Sequence, residues 1–344
     1  MNNKFNDLLW CEFYKINRKH TIIKLVAAIL VIVLALTVLS AVLKGLLGDV
    51  AGSLVDGNGS YDERIAALKA EMQAVQELSN WTDKLIIGNT IGSYKAKIAV
   101  LEFLKAHNYA LGGVTNFSQN DGMMFFKFNF FSFTQACMSV LMSVVIIFLI
   151  VACCKSVNGE YSSGAMKMQL MRPISKNKFF TAKWLSVVVI AEAMTLLSFA
   201  LSFILGLILH GPVANNVAFV AGNAVTVVSP IAALIIDLLL NMIKVFAFTQ
   251  ATMFLCFLCN SYGKAIVLAL LMIVFDFGTY IEYLLALPYV GYLAFFANAN
   301  WASGISVDAP IFKGMTIWVM IPVTMIWCAF FMWFSYRKFN KKEV

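Results

Sequence analysis

Charge is what this chain has least of. Only 13% of its 344 residues are Asp, Glu, Lys or Arg, while 61% are hydrophobic and the mean hydropathy is +0.81. That balance excludes an ordinary soluble domain, and several apolar runs are long enough to cross a bilayer as helices. Histidine is nearly absent: His20, His107 and His210 are scattered, which argues against a His-based catalytic site. No Ser/His/Asp or paired-carboxylate arrangement supports hydrolysis either. No GxxxxGK(S/T) phosphate loop occurs, nor an alternation of strands and helices to host one, so the chain does not bind and split ATP in the P-loop manner. Of seven cysteines none lies in the segment 44–120, so no disulfide framework is implied. Cys256 and Cys259 form a CxxC inside an apolar helix with no neighbouring His or second pair, a poor setting for metal or redox chemistry. A cleavable signal peptide is not expected, because the first apolar run is too long for a signal core.

What charge there is has a pattern. The 26 Lys and Arg exceed the 18 Asp and Glu, giving a net charge of +8. A basic excess can signal nucleic acid, but these cations sit in the segments flanking the apolar runs, where they report topology instead. Apolar spans are expected at 21–43, 132–154, 184–209, 231–259, 265–287 and 311–336. No Lys or Arg occurs between His210 and Ile231 or between Pro288 and Phe312, whereas every segment assigned to the inside carries at least one. The expected fold is therefore an all-α integral membrane protein with six transmembrane helices and both termini cytoplasmic. Residues 213–229, moderately apolar but holding Asn215, Asn216, Gly222 and Asn223, read as a buried or interfacial outer loop, since a seventh crossing would put the basic C-terminus outside.

Residues 1–20 read as an amphipathic helix lying in the membrane plane, with Phe5, Leu9, Phe13 and Ile16 on one face and Lys15, Arg18 and Lys19 towards its end. Residues 44–122 read as an extracellular insertion. It opens with a Gly-rich linker (Gly48, Gly52, Gly57, Gly59), followed by Ser60-x-x-Glu63 as a capping box. Apolar stripes at Ile65, Leu68, Met72, Val75 and Leu78, and at Tyr94, Ile98, Leu101 and Leu104, predict a helical hairpin broken at Gly88-Asn89. The remaining membrane domain spans 123–344 and is entered through an aromatic-dense approach at 123–131 suited to the membrane–water interface.

The long polar interruption is 155–183, with Lys155, Lys167, Arg172, Lys176, Lys178 and Lys183 against one acid, Glu160. Its bias places it on the cytoplasmic side. The string GEYSSGAMKMQLMRPISKNKFFTAKW resembles the loop between the second and third membrane helices of type-2 ATP-binding-cassette (ABC) exporter permeases. There, a Glu precedes a Gly, a short helix follows, then a basic–Pro–Ile–Ser–basic segment and a Lys opening the next span. The matching positions are Glu160, Gly164, Arg172-Pro173-Ile174-Ser175-Lys176 and Lys183, with Ala165 where the family usually has Thr.

The resemblance implies an in-plane elbow helix at the N-terminus and a permease subunit of the bacterial cytoplasmic membrane. It implies cytoplasmic ABC ATPase subunits and a second permease copy or sibling as partners. No cofactor would be bound by this chain, with ATP and Mg held in the ATPase, and no nucleic acid is involved. A short helix near Ser162–Met171 would seat in the ATPase, with Glu160, Gly164, Met166, Leu170, Arg172, Pro173 and Lys176 forming the coupling surface. The expected cargo is a hydrophobic or amphipathic drug, antimicrobial peptide or lipid.

Ionisable residues inside spans are costly and hence candidates for function: Glu192, Asp237, Lys244, Asp276 and Glu282. Lys244 and Asp276 fall at similar depth on consecutive antiparallel helices, within reach of a buried pair. Two other classes stay open. One is an ion-gradient-driven transporter or channel using Glu192, Asp237, Lys244 and Asp276 as a relay, which would move cargo without an ATPase. The other is a membrane sensor with the extracellular hairpin as binding head.

Overall fold

The computed structural model describes residues 3–17, 21–55, 60–77, 84–109, 114–116, 129–164, 175–211, 215–221, 224–259, 261–277 and 317–341. The described helices are α1 (Asn3–Asn17), α2 (Thr21–Val55), α3 (Tyr61–Glu77), α4 (Lys84–Ala106), α5 (Phe130–Ser162), α6 (Lys176–His210), α7 (Pro230–Leu258), α8 (Tyr262–Phe277) and α9 (Ile317–Lys341). Five are long and apolar enough to cross a membrane: α2 through Thr21–Val42, α5, α6, α7 and α9. The fold is that of a helical membrane protein. The fifth expected span corresponds to α8, apolar through Tyr262–Met272, and the remainder of 265–287 beyond Phe277 lies outside the described residues.

Several boundaries differ from expectation, with helical turns continuing past the apolar window. α2 runs on through Gly48 and Gly52 to Val55, where a linker was expected. α4 runs through Gly88-Asn89, where the break was expected, and the arms are separated by 78–83 instead. A helical glycine costs only about 1 kcal/mol relative to alanine, which a long helix absorbs. Similarly α5 continues to Ser162 and α6 starts at Lys176, so the inter-helix loop expected at 155–183 shrinks to its middle.

α5 is the hub, buried along most of its length and packed against α2, α6, α7 and α8. α6 buries the small side chains Ala182, Ser186, Thr195, Ser198, Ser202 and Gly206, and Gly206 abuts Phe130, Phe133 and Thr134 of α5. Thr195, Ser198 and Ser202 donate to carbonyls four residues back (3.0, 2.8 and 2.8 Å), so the hydroxyls bring no unmet polar cost. Small residues let helix backbones approach closely, which is how helices bind one another in lipid. Conversely, α2 buries Leu25, Ile29 and Val33 on one face while Val31, Leu34 and Val38 stay exposed. An apolar exposed face of that kind suits acyl chains.

Antiparallel connectivity gives the bundle two ends. At one, Ser40 of α2 meets His210 at the end of α6 (Oγ···Nε2 3.4 Å), and Phe133 of early α5 lies 5.4 Å from the same ring. At the other, Asn158 of late α5 donates to the carbonyls of Cys259 and Ser261 (both 3.3 Å), tying α5 to the α7–α8 turn.

The segment expected as an outer loop at 213–229 instead forms a β-hairpin, β2 (Asn216–Ala221) with β3 (Ala224–Val228), and β1 (Val114–Asn116) pairs parallel to β2. β2 is buried on both faces. Val217 and Phe219 point to the membrane body beside Phe130, Phe131, Ala233 and Leu234, whereas Ala218 and Val220 pack against Val100 and Leu104 of α4. The hairpin of α3 and α4 is therefore not a free arm but is mounted on the bundle through a small sheet. α3 and α4 lie antiparallel, joined by Lys69–Glu102 (3.3 Å) and by Lys105–Asp62. The capping box forms as expected: Ser60 N donates to Glu63 Oε2 (2.8 Å) and Glu63 N to Ser60 Oγ (3.3 Å). Ser60→Ala is expected to destabilise this unit by about 1 kcal/mol, read as faster amide exchange in the first turn of α3; unchanged exchange would mean the box contributes nothing.

Candidate functional site

At the bundle end marked by Asn158, three elements converge on one buried charge cluster. Lys183, in the third turn of α6, is 1% exposed, and Glu12 of α1 is fully buried. The Lys183 ammonium donates to Glu12 Oε2 (3.0 Å), Glu160 Oε2 (2.8 Å) and the Ser156 carbonyl (2.7 Å), with Ser156 Oγ at 3.3 Å. Its three protons are thereby all used. Lys15 closes the ring on the outer side, bonded to Glu12 Oε1 (2.5 Å) and Glu160 Oε1 (3.0 Å). Each carboxylate bridges both lysines, and the four charges cancel.

Local sequence explains why these side chains meet. Glu12 sits one turn before Ile16 on the buried face of α1, and Lys15 follows at i+3 near the rim. Ser156 and Glu160 are four apart on α5 and face the same way. Phe179, one turn before Lys183, lays its ring 5.3 Å from the ammonium, and Phe180, Phe257, Tyr336 and Phe339 wall the site off beyond it. Burial works to lower the Lys15 ammonium, yet the hydrogen bonds and charges of Glu12 and Glu160 hold it above its ordinary value. An ammonium raised in the folded state contributes stability that is complete below its unfolded value, about 10.4, and fades only as pH climbs through the folded one.

Glu160 thus turns towards Lys183 and Lys15, with its side chain 13% exposed. Gly164 follows the α5 C-cap, Ser163, in the left-handed region (φ 71°), with its N–H bonded to the Tyr161 carbonyl (3.2 Å). Any side chain there would be strained, which accounts for glycine at the point where the chain leaves α5. Lys176 opens α6 and is exposed. Met166, Leu170, Arg172 and Pro173, with most of the expected coupling helix, lie outside the described residues.

Of the intramembrane charges, Glu192, Asp237 and Lys244 are not brought to this cluster. Glu192 is half-buried on α6, and its Oε2 has no hydrogen-bond partner. Asp237 is buried on α7 one turn before Asn241, whose amide donates to the Asp237 carbonyl (2.9 Å). Lys244 lies 5.9 Å from the Phe248 ring. The side chains of Asp276 and Glu282 lie outside the described set, so the expected Lys244–Asp276 pair does too. Between α5 and α7, the Cys256 and Cys154 sulfurs stand 3.4 Å apart as free thiols. Among the described residues no group of three or more His, Cys, Asp or Glu is arranged to hold a metal ion.

Glu12 is the residue that sequence reasoning missed. Its signal was present: a carboxylate on the apolar face of an amphipathic helix has to find a cation.

Residues 102–344 match DUF2705, a family described as proteins of unknown function, and the chain belongs to that family. The matched region contains Ser156, Glu160 and Lys183, while Glu12 and Lys15 precede it. No curated protein matches the sequence.

Proposed function

We propose that the chain is the membrane-spanning subunit of an ABC exporter, six-spanning with both ends cytoplasmic, driven by a separate ATPase docked on residues 159–176. The cargo class is a hydrophobic or amphipathic molecule (drug, antimicrobial peptide or lipid), and the subunit works as a pair with a second copy or sibling. The observation that carries this reading is the Glu12–Lys15–Glu160–Lys183 ring, which joins residues of the basic 155–183 segment to α1. A push on that segment meets a rigid joint. Through Glu160 and Lys183 it reaches α1 and α6, and through Asn158 it reaches the α7–α8 turn. Alternating access then follows from helices rocked at one end while the mounted α/β unit closes or opens the other. Positive charge on the loop and its absence from the two later opposite connections, 211–230 and 289–311, support the orientation.

Glu160→Gln removes one charge from the ring yet leaves Lys183 bound to Glu12 and Ser156. It is expected to preserve assembly with the ATPase while lowering cargo-stimulated ATP hydrolysis by roughly tenfold or more, about 1.4 kcal/mol of coupling. Arg172→Glu is expected to weaken assembly itself. Stimulation and assembly both at wild-type level in the two variants would count against the reading.

A second reading rests on Glu192, whose buried carboxylate oxygen is without a partner inside a candidate span. Such groups mark ion pathways in membranes. It requires flux driven by an ion gradient alone and lost in Glu192→Gln.

A further inference from the structure

Beside the charge ring lies a cleft of about 390 Å³ between the end of α1, the start of α2 and the outward face of α5, lined by Lys15, Ile16, Val151, Ala152, Lys155 and Gly159 among others. We propose that it holds the head group of one anionic phospholipid from the adjoining leaflet. The outward face of α5 has the polarity of such a lipid written along it. Ile147 and Val151, both exposed, are followed one turn later by the exposed Lys155. Among the described residues nothing pairs with the Lys155 ammonium, whereas both oxygens of Glu160, the acid at the cleft, are taken by Lys183 and Lys15. Among the described residues the cleft therefore keeps one unpaired positive charge, that of Lys155, beside the apolar side chains of Ile16, Val151 and Ala152. Trp10 and Tyr14 stand exposed on α1, the aromatic types that settle at head-group level.

Gly159 keeps the space open. It lies inside α5, where glycine costs stability relative to alanine, yet a Cβ there would meet nothing closer than Lys155 Cγ at 3.9 Å. Among the described residues packing does not demand glycine at this position, and the room it leaves would admit an occupant. Basic pockets between helices at the membrane surface bind phosphorylated head groups.

This inference rests on the proposed function only in placing this end of the bundle at a membrane surface; it needs no motor. The test uses the full chain, purified alone in detergent and titrated with phosphatidylglycerol or phosphatidylcholine, with retained lipid counted by native mass spectrometry. One phosphatidylglycerol per chain is expected to be held roughly five- to tenfold more tightly than phosphatidylcholine, the worth of about one lysine at a charged surface. Lys155→Gln and Gly159→Leu should each abolish the preference, and Lys178→Gln, an exposed cation elsewhere, should leave it intact. Equal retention of the two lipids, or a preference that survives both cleft variants, would overturn the proposal. So would displacement of the lipid by millimolar inorganic phosphate, which would make the cleft a small-anion site. None of these outcomes depends on whether an ATPase assembles with the chain.

Discussion

Lys183→Met is expected to cost about 3–5 kcal/mol of stability, enough to cut the yield of folded protein sharply or to lower its melting temperature by many degrees. The reason is what remains after the change. Glu12, fully buried, keeps only Lys15 at the half-exposed rim, and the Ser156 carbonyl loses its 2.7 Å donor. Removing one partner of a buried ion cluster strands the others in a medium of low dielectric, a far larger penalty than the net worth of the intact cluster. The same logic predicts rescue: Glu12→Gln/Lys183→Met should recover a large part of the loss, because the stranded carboxylate is gone and Lys15 retains Glu160. A single Lys183→Met variant melting within a degree or two of the native chain would mean the ring is not the joint described here.

The second large effect lies at the opposite end. Gly206→Val places a Cβ 2.8 Å from Thr134 Oγ1, 3.1 Å from Phe130 Cδ2 and 3.3 Å from Phe133 Cδ1, before its two methyl groups are counted. All three neighbours belong to the first turns of α5, and Phe130 is itself clamped against Phe203 with ring centroids 5.1 Å apart. No side chain can yield without lifting α6 off α5, and overpacking of that kind costs about 1–3 kcal/mol. The measurement is the thermal midpoint of the detergent-solubilised chain. Gly206→Ala should be milder, and should improve when combined with Thr134→Ala, which removes the nearest atom. A wild-type midpoint for Gly206→Val would contradict the close α5–α6 seam.

Much of this arrangement was legible in the residues, and what escaped did so for identifiable reasons. Five of the expected spans were readable because twenty apolar residues in lipid can only be helical. The Ser60–Glu63 box was readable because both of its hydrogen bonds are local. α5 continues beyond its expected span through polar residues such as Ser156 and Glu160, which are held by Lys183 of another element. The β-hairpin was overlooked because hydropathy treats 213–229 as one weakly apolar block. Its two short β-branched runs around Gly222-Asn223 were the available sign, a two-residue connection of hairpin type. The pairing of β1 with β2 joins segments about a hundred residues apart and leaves no local trace. Glu160 and Lys183 were singled out through a resemblance to a loop facing the cytoplasm, but their partner Glu12 lies 171 residues from Lys183 in the chain. Only the folded bundle brings α1 against them.

The most direct test of the central claim is transport by the purified full chain reconstituted into sealed vesicles, with and without the ABC ATPase that the proposal requires as its partner. The account predicts no movement of cargo by the chain alone under any imposed proton or sodium gradient, and uptake or release that appears only with the ATPase and ATP together. Sustained gradient-driven flux through the chain by itself would contradict it.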